Sequence, residues 1–393
     1  MFLLIFPGTH YPDDAYPQVL VAVKERKIVT SYSFSSHFNT TITLSPEKFE
    51  LSFNKSIIMS DGKLMRGIEL TTNLRTSVYV FVYNNHTADK ESYGYLAFPT
   101  KVLSTTYIIP TYKPVGGYYH SAFIAITATK PNTIINIYMK KNGQSSIYKN
   151  IALDKYETFQ LSETVDFSGT FIRSTNPIAV WSGHENNYIS VSAANPFVQM
   201  ILPLHQWDKV YVIPTIATRP GSTVRLYSNN LTNVQIHQGD KSEIKQIAAR
   251  GVVDIVHSTI LFINASHDIM VMIFPYGLSD TSGDGFMMTI HGVNQYLSQY
   301  DFAVQNGITS FISIVVSTGY INGFVLDGKH INHITSTHIF GGPYHFSTFT
   351  VDITSGTHQI RHTAGVRFGL WVYGNGLHDS YGYLAGIGFR TED

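Results

Sequence analysis

The chain has 393 residues, of which 44% are hydrophobic, and its 27 Lys and Arg residues balance its 27 Asp and Glu residues. A neutral sequence without a basic patch makes nucleic acid and anionic membranes unexpected partners, and no apolar run reaches the ~18 residues of a membrane span. The absence of cysteine excludes disulfides, thiolate metal sites and cysteine nucleophiles. The 25 Tyr and 24 Phe residues, with many Val, Ile and Thr, favour strands over helices.

Residues 1–9 contain six apolar residues in a row without a preceding basic region, which is too short for the core of a signal peptide. From residue 18 onwards, apolar or alternating stretches separated by polar breaks predict antiparallel strands. They form eight meanders of two alternating kinds, and residues 240–250, which have some helical character, occupy a strand position. The predicted meanders span residues 18–53, 64–110, 122–161, 170–213, 224–256, 259–304, 311–353 and 357–387.

Meanders of the second kind share a motif, which is clearest in residues 176–214: Asn-Pro-Ile-Ala-Val-Trp-Ser-Gly, then Gln-Met-Ile-Leu-Pro, then Tyr-Val-Ile-Pro. The predicted equivalent positions are Val78, Ile178, Ile269 and Val366, which lie 100, 91 and 97 residues apart. A regular period of about this length indicates a repeat architecture.

The last meander has only three strands, and Leu-Leu-Ile-Phe-Pro-Gly-Thr at residues 3–9 resembles the missing fourth. Pairing of Leu4 and Ile5 with residues 383–387 would close a ring and remove both open sheet edges. The sequence therefore predicts one all-β domain over residues 1–393, a closed eight-bladed β-propeller of four-stranded antiparallel meanders. The alternative is a row of tandem β-sandwiches, each made of two neighbouring meanders.

The polar loops inside the second kind of meander, at residues 84–92, 183–196, 277–285 and 374–380, would gather on one face of such a ring. Loops on a rigid scaffold are where binding residues usually lie, although solvated connections are an equal alternative. The candidate ligand-binding residues in these loops are His184, Glu185, Asn187, Asp280, Asp284, His378 and Asp379.

No metal, other cofactor or catalytic residue is predicted. Residues 279–285 resemble a calcium loop, but Ser282 stands at the third position and His291 at the twelfth, so a turn is the preferred interpretation. His184-Glu185 lacks the second histidine of a helical zinc site, and no spacing enforces a metal cluster at His378. The sequence contains neither a nucleophile motif on a strand–turn–helix nor carboxylates paired at a fixed spacing.

Five Asn-x-Ser/Thr sequons are candidates for N-glycosylation, and four of them fall in predicted turns. The three tryptophans lie in or beside predicted strands, which favours the core over a carbohydrate platform. The sequon asparagines are Asn39, Asn54, Asn85, Asn230 and Asn264, and the tryptophans are Trp181, Trp207 and Trp371.

The repeats resemble the N-terminal domain of the IgGFc-binding protein family over nearly the whole chain. The segments that carry the resemblance are Ser-Val-Tyr-Val-Phe-Val-Tyr-Asn (77–84), Tyr-Gly-Tyr-Leu-Ala-Phe-Pro (93–99), Asn-Pro-Ile-Ala-Val-Trp-Ser-Gly (176–183), Gln-Met-Ile-Leu-Pro (199–203), Val-Asn-Gln-Tyr-Leu-Ser-Gln-Tyr-Asp-Phe (293–302) and Ser-Tyr-Gly-Tyr-Leu-Ala-Gly (380–386). The resemblance implies a secreted, mucus- or surface-associated binding domain. Domains of this family often stand beside cysteine-rich von Willebrand-type modules, which are absent here, and the resemblance supplies no catalytic residues.

The expected function is therefore extracellular, non-catalytic binding or structural support, through adhesion to a protein or glycoprotein of mucus or matrix. The competing expectation is a propeller-type enzyme that acts on glycans. A deep central pocket where several carboxylates and a tyrosine converge would favour the enzyme, and scattered polar loop residues would favour binding.

Overall fold

A computed structural model describes residues 1–25, 27–33, 38–85, 90–115, 121–141, 144–190, 194–332, 335–341 and 344–390. Within these ranges the chain forms antiparallel sheets and single turns of 3-10 helix, without an α-helix, and no segment forms a helix able to cross a membrane. The segment 240–250, with its helical character, contains a strand.

The strands are β1 (Phe2–Leu4), β2 (Ala15–Val21), β3 (Lys27–Ser33), β4 (Phe38–Leu44), β5 (Glu50–Ser52), β6 (Gly62–Leu64), β7 (Ile68–Thr72), β8 (Val78–Asn85), β9 (Lys90–Leu96), β10 (Ser104–Ile108), β11 (Ala122–Ala128), β12 (Thr133–Lys141), β13 (Gln144–Leu153), β14 (Thr158–Glu163), β15 (Phe171–Asn187), β16 (Asn195–Met200), β17 (Asp208–Ile213), β18 (Ser222–Ser228), β19 (Thr232–Gln238), β20 (Lys241–Ile247), β21 (Gly251–His257), β22 (Leu261–Pro275), β23 (Met288–Ile290), β24 (Gln299–Val304), β25 (Thr309–Ser317), β26 (Phe324–Leu326), β27 (Lys329–His330), β28 (Thr337–Gly341), β29 (Tyr344–Ile353), β30 (Gly356–His362), β31 (Gly369–Gly376) and β32 (Asp379–Leu384). The 3-10 turns lie at Pro12–Asp14, Lys55–Ile57, Thr100–Val102, Leu204–Gln206, Val293–Gln295 and Thr318–Tyr320.

The strands form four repeats, each built from two four-stranded sets. In the first repeat the sets run β1-β7-β3-β4 and β5-β2-β8-β9. The same orders recur as β10-β15-β12-β13 with β14-β11-β15-β16, as β17-β22-β19-β20 with β21-β18-β22-β23, and as β24-β30-β26-β27 with β29-β25-β31-β32. In the second and third repeats the long strands β15 and β22 belong to both sets and join them into one sheet.

A buried tyrosine marks the same place in three of the repeats. The hydroxyls of Tyr107, Tyr211 and Tyr300 each accept a hydrogen bond from the backbone N–H three residues earlier. Each hydroxyl also donates to a carbonyl oxygen of the long strand or its counterpart, at distances of 2.7, 2.5 and 2.5 Å. These carbonyls belong to Ile178, Ile269 and Phe368.

The predicted set of equivalent positions is therefore wrong at both ends. Phe368, not Val366, takes the place of Ile178 in the last repeat. In the first repeat, the pairing of Tyr79 with Leu96 corresponds to the pairing of Trp181 with Met200. Val78 therefore corresponds to Val180, two residues beyond Ile178. A shift of two residues keeps a side chain on the same face of its strand, so hydrophobic alternation cannot detect it.

Four strands, β9, β16, β23 and β32, meet at the centre of the molecule, and we call them the axial strands. β9 and β23 each contact both β16 and β32, so the four repeats form a propeller-like ring. The Nε2 atom of Gln199 on β16 donates to the carbonyl oxygens of Gly94, Met287 and Gly382 at 3.2, 3.0 and 3.0 Å. One buried amide thus connects all four repeats.

The predicted closed eight-bladed propeller is wrong, because a meander does not pair its four strands in sequence. The strand that ends each second-kind meander instead joins the following repeat: β10 pairs with β15, and β17 with β22. The N-terminal strand is the equivalent of these, and it pairs with β7 (Leu4 opposite Ile68) rather than with residues 383–387. Neighbouring meanders do combine into units of two four-stranded sets, as in the sandwich alternative, but these units are not independent.

The core is one continuous cluster of buried side chains that reaches through all four repeats. Trp181, Trp207 and Trp371 are all fully buried within it, as are Ile178 and Val180. At the axis the strands approach so closely that glycine is needed, since a Cβ on Gly382 would lie 2.3 Å from the Phe286 ring. The axis is therefore packed with side chains and backbone.

Candidate binding face

The four loops that lead into the axial strands meet at one end of the ring, which we call the loop face. Asn195 Nδ2 donates to the carbonyl oxygens of Ser92 at 3.0 Å and of Ser380 at 2.5 Å. The backbone N–H of His378 donates to the carbonyl oxygen of Thr281 at 2.8 Å. These bonds connect loops of different repeats, so the loop face is held together by its own polar groups.

The connections that precede β2, β11 and β18 reach the same face. Asn186 Nδ2 lies 3.2 Å from His10 Nδ1, and the backbone N–H of Tyr112 donates to His184 Nε2 at 3.2 Å. Arg219 donates through Nη1 to the carbonyl oxygen of Gly283 and through Nη2 to Ser380 Oγ, at 2.9 and 2.6 Å. Seven segments of the chain therefore build one surface.

His184, Glu185 and Asn187 do not lie in a loop as predicted, because β15 continues through them to Asn187. The side chains of His184 and Asn187 are fully buried, and Glu185 is half-buried. Asn187 Nδ2 donates to the carbonyl oxygen of Lys113 at 3.4 Å. These polar side chains satisfy the backbone of the neighbouring connection, which explains why a strand with polar residues persists here.

Glu185 shares a hydroxyl with a second carboxylate. Ser162 Oγ lies 2.8 Å from Glu185 Oε1 and 2.7 Å from Asp61 Oδ1, and Gln160 Nε2 donates to Glu185 Oε1 at 3.1 Å. Burial, reinforced by the charge of Asp61, raises the pKa of Glu185, and burial raises the pKa of Asp61. The Ser162 hydroxyl has one proton and can donate to only one carboxylate at a time. The arrangement therefore favours a proton on one of the two carboxyl groups.

Asp379 is the first residue of β32 and is only 7% exposed. Its Oδ2 accepts a hydrogen bond of 2.8 Å from Ser92 Oγ, which joins the last repeat to the first. Burial raises the pKa of Asp379 to about 7, opposed by the Ser92 hydrogen bond and reinforced by the nearby charge of Glu91, which is 1% exposed. The closure of the ring thus contains two buried acidic side chains side by side.

Asp280 and Asp284 differ in environment. Asp280 is exposed, and its Oδ1 accepts hydrogen bonds from the N–H and the hydroxyl of Ser282, which makes an Asx turn. Asp284 is buried. Burial lowers the pKa of the Arg219 guanidinium to about 10, and the charge of Asp284 opposes this effect.

His378 is half-exposed and has a φ of 53° at the tip of its turn. The two other histidines of the last meander could be its metal partners by sequence, but they bond elsewhere: His358 to Asp327 and to the carbonyl oxygen of Thr354, and His362 to backbone carbonyls of Tyr320 and Asn322. In the described parts of the chain, no group of three or more His, Asp or Glu residues could hold a metal ion.

Four of the five sequon asparagines have a described side chain, and all four are exposed. Asn54 and Asn230 lie in turns, whereas Asn39 and Asn264 lie on β4 and β22, so the placement of Asn39 in a turn is wrong. The Asn85 side chain falls outside the described residues, but its backbone is the last residue of β8, so the placement of Asn85 in a turn is also wrong.

The sequence did not single out Glu91, Ser92, Asn195 or Arg219, although these residues connect the loops. Ser92 and Asp379 are 287 residues apart, so no local pattern brings them together. The available signal was positional, since Ser92, Asn195 and Ser380 are polar residues within the first three positions of β9, β16 and β32.

The ring of repeats and its loop face define an all-β, propeller-like repeat protein that presents loops at one end. The chain belongs to the IgGFc-binding protein family, whose sequence profile, described as IgGFc binding protein, matches residues 93–374. Human IgGFc-binding protein is 23% identical over 386 residues, which cover 94% of this chain and 7% of the human protein. The chain therefore spans a small part of that relative's length.

Two solved structures have partial likeness. A Ca2+-stabilized adhesin that helps an Antarctic bacterium bind ice is 8% identical, with 97% of each chain covered and a TM-score of 0.13. An anti-sigma factor domain-containing protein from Clostridium clariflavum is 9% identical, with 93% of this chain and 99% of that chain covered and a TM-score of 0.13. These TM-scores are too low to carry an argument.

Proposed function

We propose that this chain is a non-catalytic extracellular binding domain whose loop face holds a protein or glycoprotein ligand of mucus or matrix. The observation that carries the proposal is the meeting of loops from all four repeats at one end. Asn195 bonds to Ser92 and Ser380 of the first and last repeats, and the N–H of His378 bonds to the loop of the third. A pre-ordered loop surface loses little conformational entropy when it binds a partner. Membership of the IgGFc-binding protein family, and the name of the human relative, support a protein ligand.

Exposure divides the candidate residues into two roles. Asp280 is exposed and His378 and Glu185 are partly exposed, so we assign them direct contacts with the ligand. His184, Asn187, Asp284 and Asp379 are buried, and we assign them the task of positioning the loops.

A glycan-processing enzyme is less well supported. The expected sign of such an enzyme was a deep central pocket with convergent carboxylates, but the axis is occupied by Gln199 and its three carbonyl partners. Glu91 and Asp379 are close together but buried. We therefore propose that the chain acts through its surface and as one unit over residues 1–393.

The test is capture of a ligand from native extracellular fluid by the full chain, secreted with an added signal peptide. Immunoglobulin and glycan arrays serve as parallel probes. We expect the double variant Asp280→Ala/His378→Ala to weaken capture at least tenfold, a change of about 1.4 kcal/mol.

The matched control is Lys101→Ala, which changes an exposed residue after β9, at the end of the axial strands away from the loop face. If Lys101→Ala weakens capture as much as the double variant does, the loop face is not the binding surface. Failure of the chain to capture or bind anything would contradict the binding function itself.

A further inference from the structure

Beside the loop face, the first repeat has a groove with a cavity volume of about 400 Å³. Its aromatic lining is Tyr16, Tyr83 and Phe53, and its polar lining includes Asp13, Gln18 and Asn54. An aromatic surface with a few polar groups around it is typical of a small-ligand site, and the volume lies within the usual range of about 300–1,000 Å³.

The two tyrosines form a stacked pair on the surface. Tyr16 and Tyr83 lie opposite each other on β2 and β8, and their rings are 4.8 Å apart and inclined by 9°. Tyr16 remains 49% exposed, whereas the three tryptophans of the chain are fully buried. The face of an aromatic ring carries partial negative charge and attracts the polarised C–H bonds of a pyranose ring. This pair is therefore a suitable stacking surface for a sugar.

Asn54 brings a sugar attachment point into the same groove. It begins the sequon Asn54-Lys55-Ser56, and its Oδ1 accepts a hydrogen bond of 2.9 Å from the N–H of Ser56. This bond holds the side chain at the start of a 3-10 turn. Nδ2, the atom that carries an N-linked glycan, has no hydrogen-bond partner among the described residues, and the asparagine is exposed.

We propose that the groove is a carbohydrate-binding subsite and that its occupant is the first sugar of an N-linked glycan on Asn54. Attachment replaces one Nδ2–H bond by a bond to the anomeric carbon of a lipid-pyrophosphate-linked oligosaccharide, and the proton and the lipid pyrophosphate leave. The first sugar then stacks on Tyr16, which removes the exposed ring from water. The inference rests on the extracellular location in the proposed function.

The test uses the full chain secreted from glycosylating eukaryotic cells with an added signal peptide. Glycopeptide mass spectrometry measures the occupancy of each sequon, and melting temperatures are compared for the wild type, Asn54→Gln, Tyr16→Ala and the double variant. We expect Asn54 to be occupied and its loss to lower the melting temperature by about 1–3 °C in the wild type but not in Tyr16→Ala. An endoglycosidase that leaves one sugar on each Asn should preserve the melting temperature.

Two controls isolate the groove. Asn230→Gln removes a turn sequon that does not line the groove, and Tyr320→Ala removes a comparably exposed tyrosine of the last repeat. Neither should change the effect of Asn54→Gln.

Three outcomes would overturn the inference. If all five sequons are bare, glycosylation fails everywhere, and the extracellular location loses its support as well. If other sequons are occupied and Asn54 is bare, the subsite fails alone. If Asn54 is occupied but Asn54→Gln has the same effect with and without Tyr16, the glycan does not dock, and ligand capture by the loop face is unaffected.

Discussion

His291 should make the protein sensitive to mild acid, and His291→Leu should remove this sensitivity. The imidazole is fully buried between the rings of Trp371 and Tyr296, at centroid distances of 4.7 and 5.1 Å. Neither ring nitrogen has a hydrogen-bond partner among the described residues. The corresponding residues before the equivalent 3-10 turns of the first two repeats, Phe98 and Leu202, are apolar, so leucine fits this position in the fold.

The size of this effect follows from the number of protons that His291 binds in the native and in the unfolded state. Burial lowers the pKa of His291 to about 3 from its ordinary value of 6.5. Between these values the unfolded chain binds a proton that the native state does not, so the free energy of unfolding falls by about 1.4 kcal/mol per pH unit as the pH decreases. At pH 5 the loss is about 2 kcal/mol relative to pH 7.5.

Urea unfolding of the wild type and of His291→Leu at pH 7.5 and 5.0 measures this effect. We expect the variant to lose about 2 kcal/mol less than the wild type between the two pH values. It should also be the more stable protein at pH 7.5, because an unpaired buried imidazole costs about 1–3 kcal/mol. The reasoning is refuted if both proteins lose the same free energy of unfolding between pH 7.5 and 5.0.

Two further substitutions test the contacts between repeats. Asp379 has a native pKa of about 7, above its ordinary 3.8, so its own contribution to the free energy of unfolding falls as the pH rises through this window, opposite in sign to the contribution of His291. Asp379→Asn should therefore remove a loss of about 1.4 kcal/mol per pH unit. Parallel unfolding curves of the two proteins between pH 4.5 and 7 would contradict this. Arg225 bonds to Asp254 through two nitrogens and to Asp166 across the junction of the second and third repeats. Arg225→Met should lower the free energy of unfolding by about 2–3 kcal/mol in urea, with Arg225→Lys intermediate, and a loss below about 0.5 kcal/mol would show that the network is dispensable.

Strand positions could be predicted from sequence because β-branched and aromatic residues alternate with polar ones, and this local property survives in the fold. The pairing of these strands could not be predicted in the same way. Residues 3–9 do match the strands at 107–111 and 211–215, and β1, β10 and β17 have equivalent places. Their partner, however, lies in the next meander of the second kind, a choice set by packing of the whole ring and not by any local pattern.

The four places where the chain turns at the loop face were predicted, but the extension of β15 through His184 to Asn187 and the side chains that hold the loops were not. Alternation says which residues of a strand share a face, whereas the pairing of Ser92 with Asp379 depends on ring closure. A polar residue such as His184 is assigned to a loop from sequence, because strands seldom bury polar side chains that lack hydrogen-bond partners. The N–H of Tyr112 supplies that partner from a distant connection.

A packed axis has a consequence for how this protein can bind. In a ring with an open centre, a ligand can enter the channel, but here Gln199 and the glycines of the axial strands bring the repeats into direct contact. Contacts with a ligand are then left to the loops and the outer surfaces, and loops bind well only when they are held in place. The buried polar residues of the loop face do this: Asn195 bonds to two other repeats, and Arg219 bonds to the loops of two repeats. Each loop is therefore positioned by another repeat, so the loop face requires the closed ring.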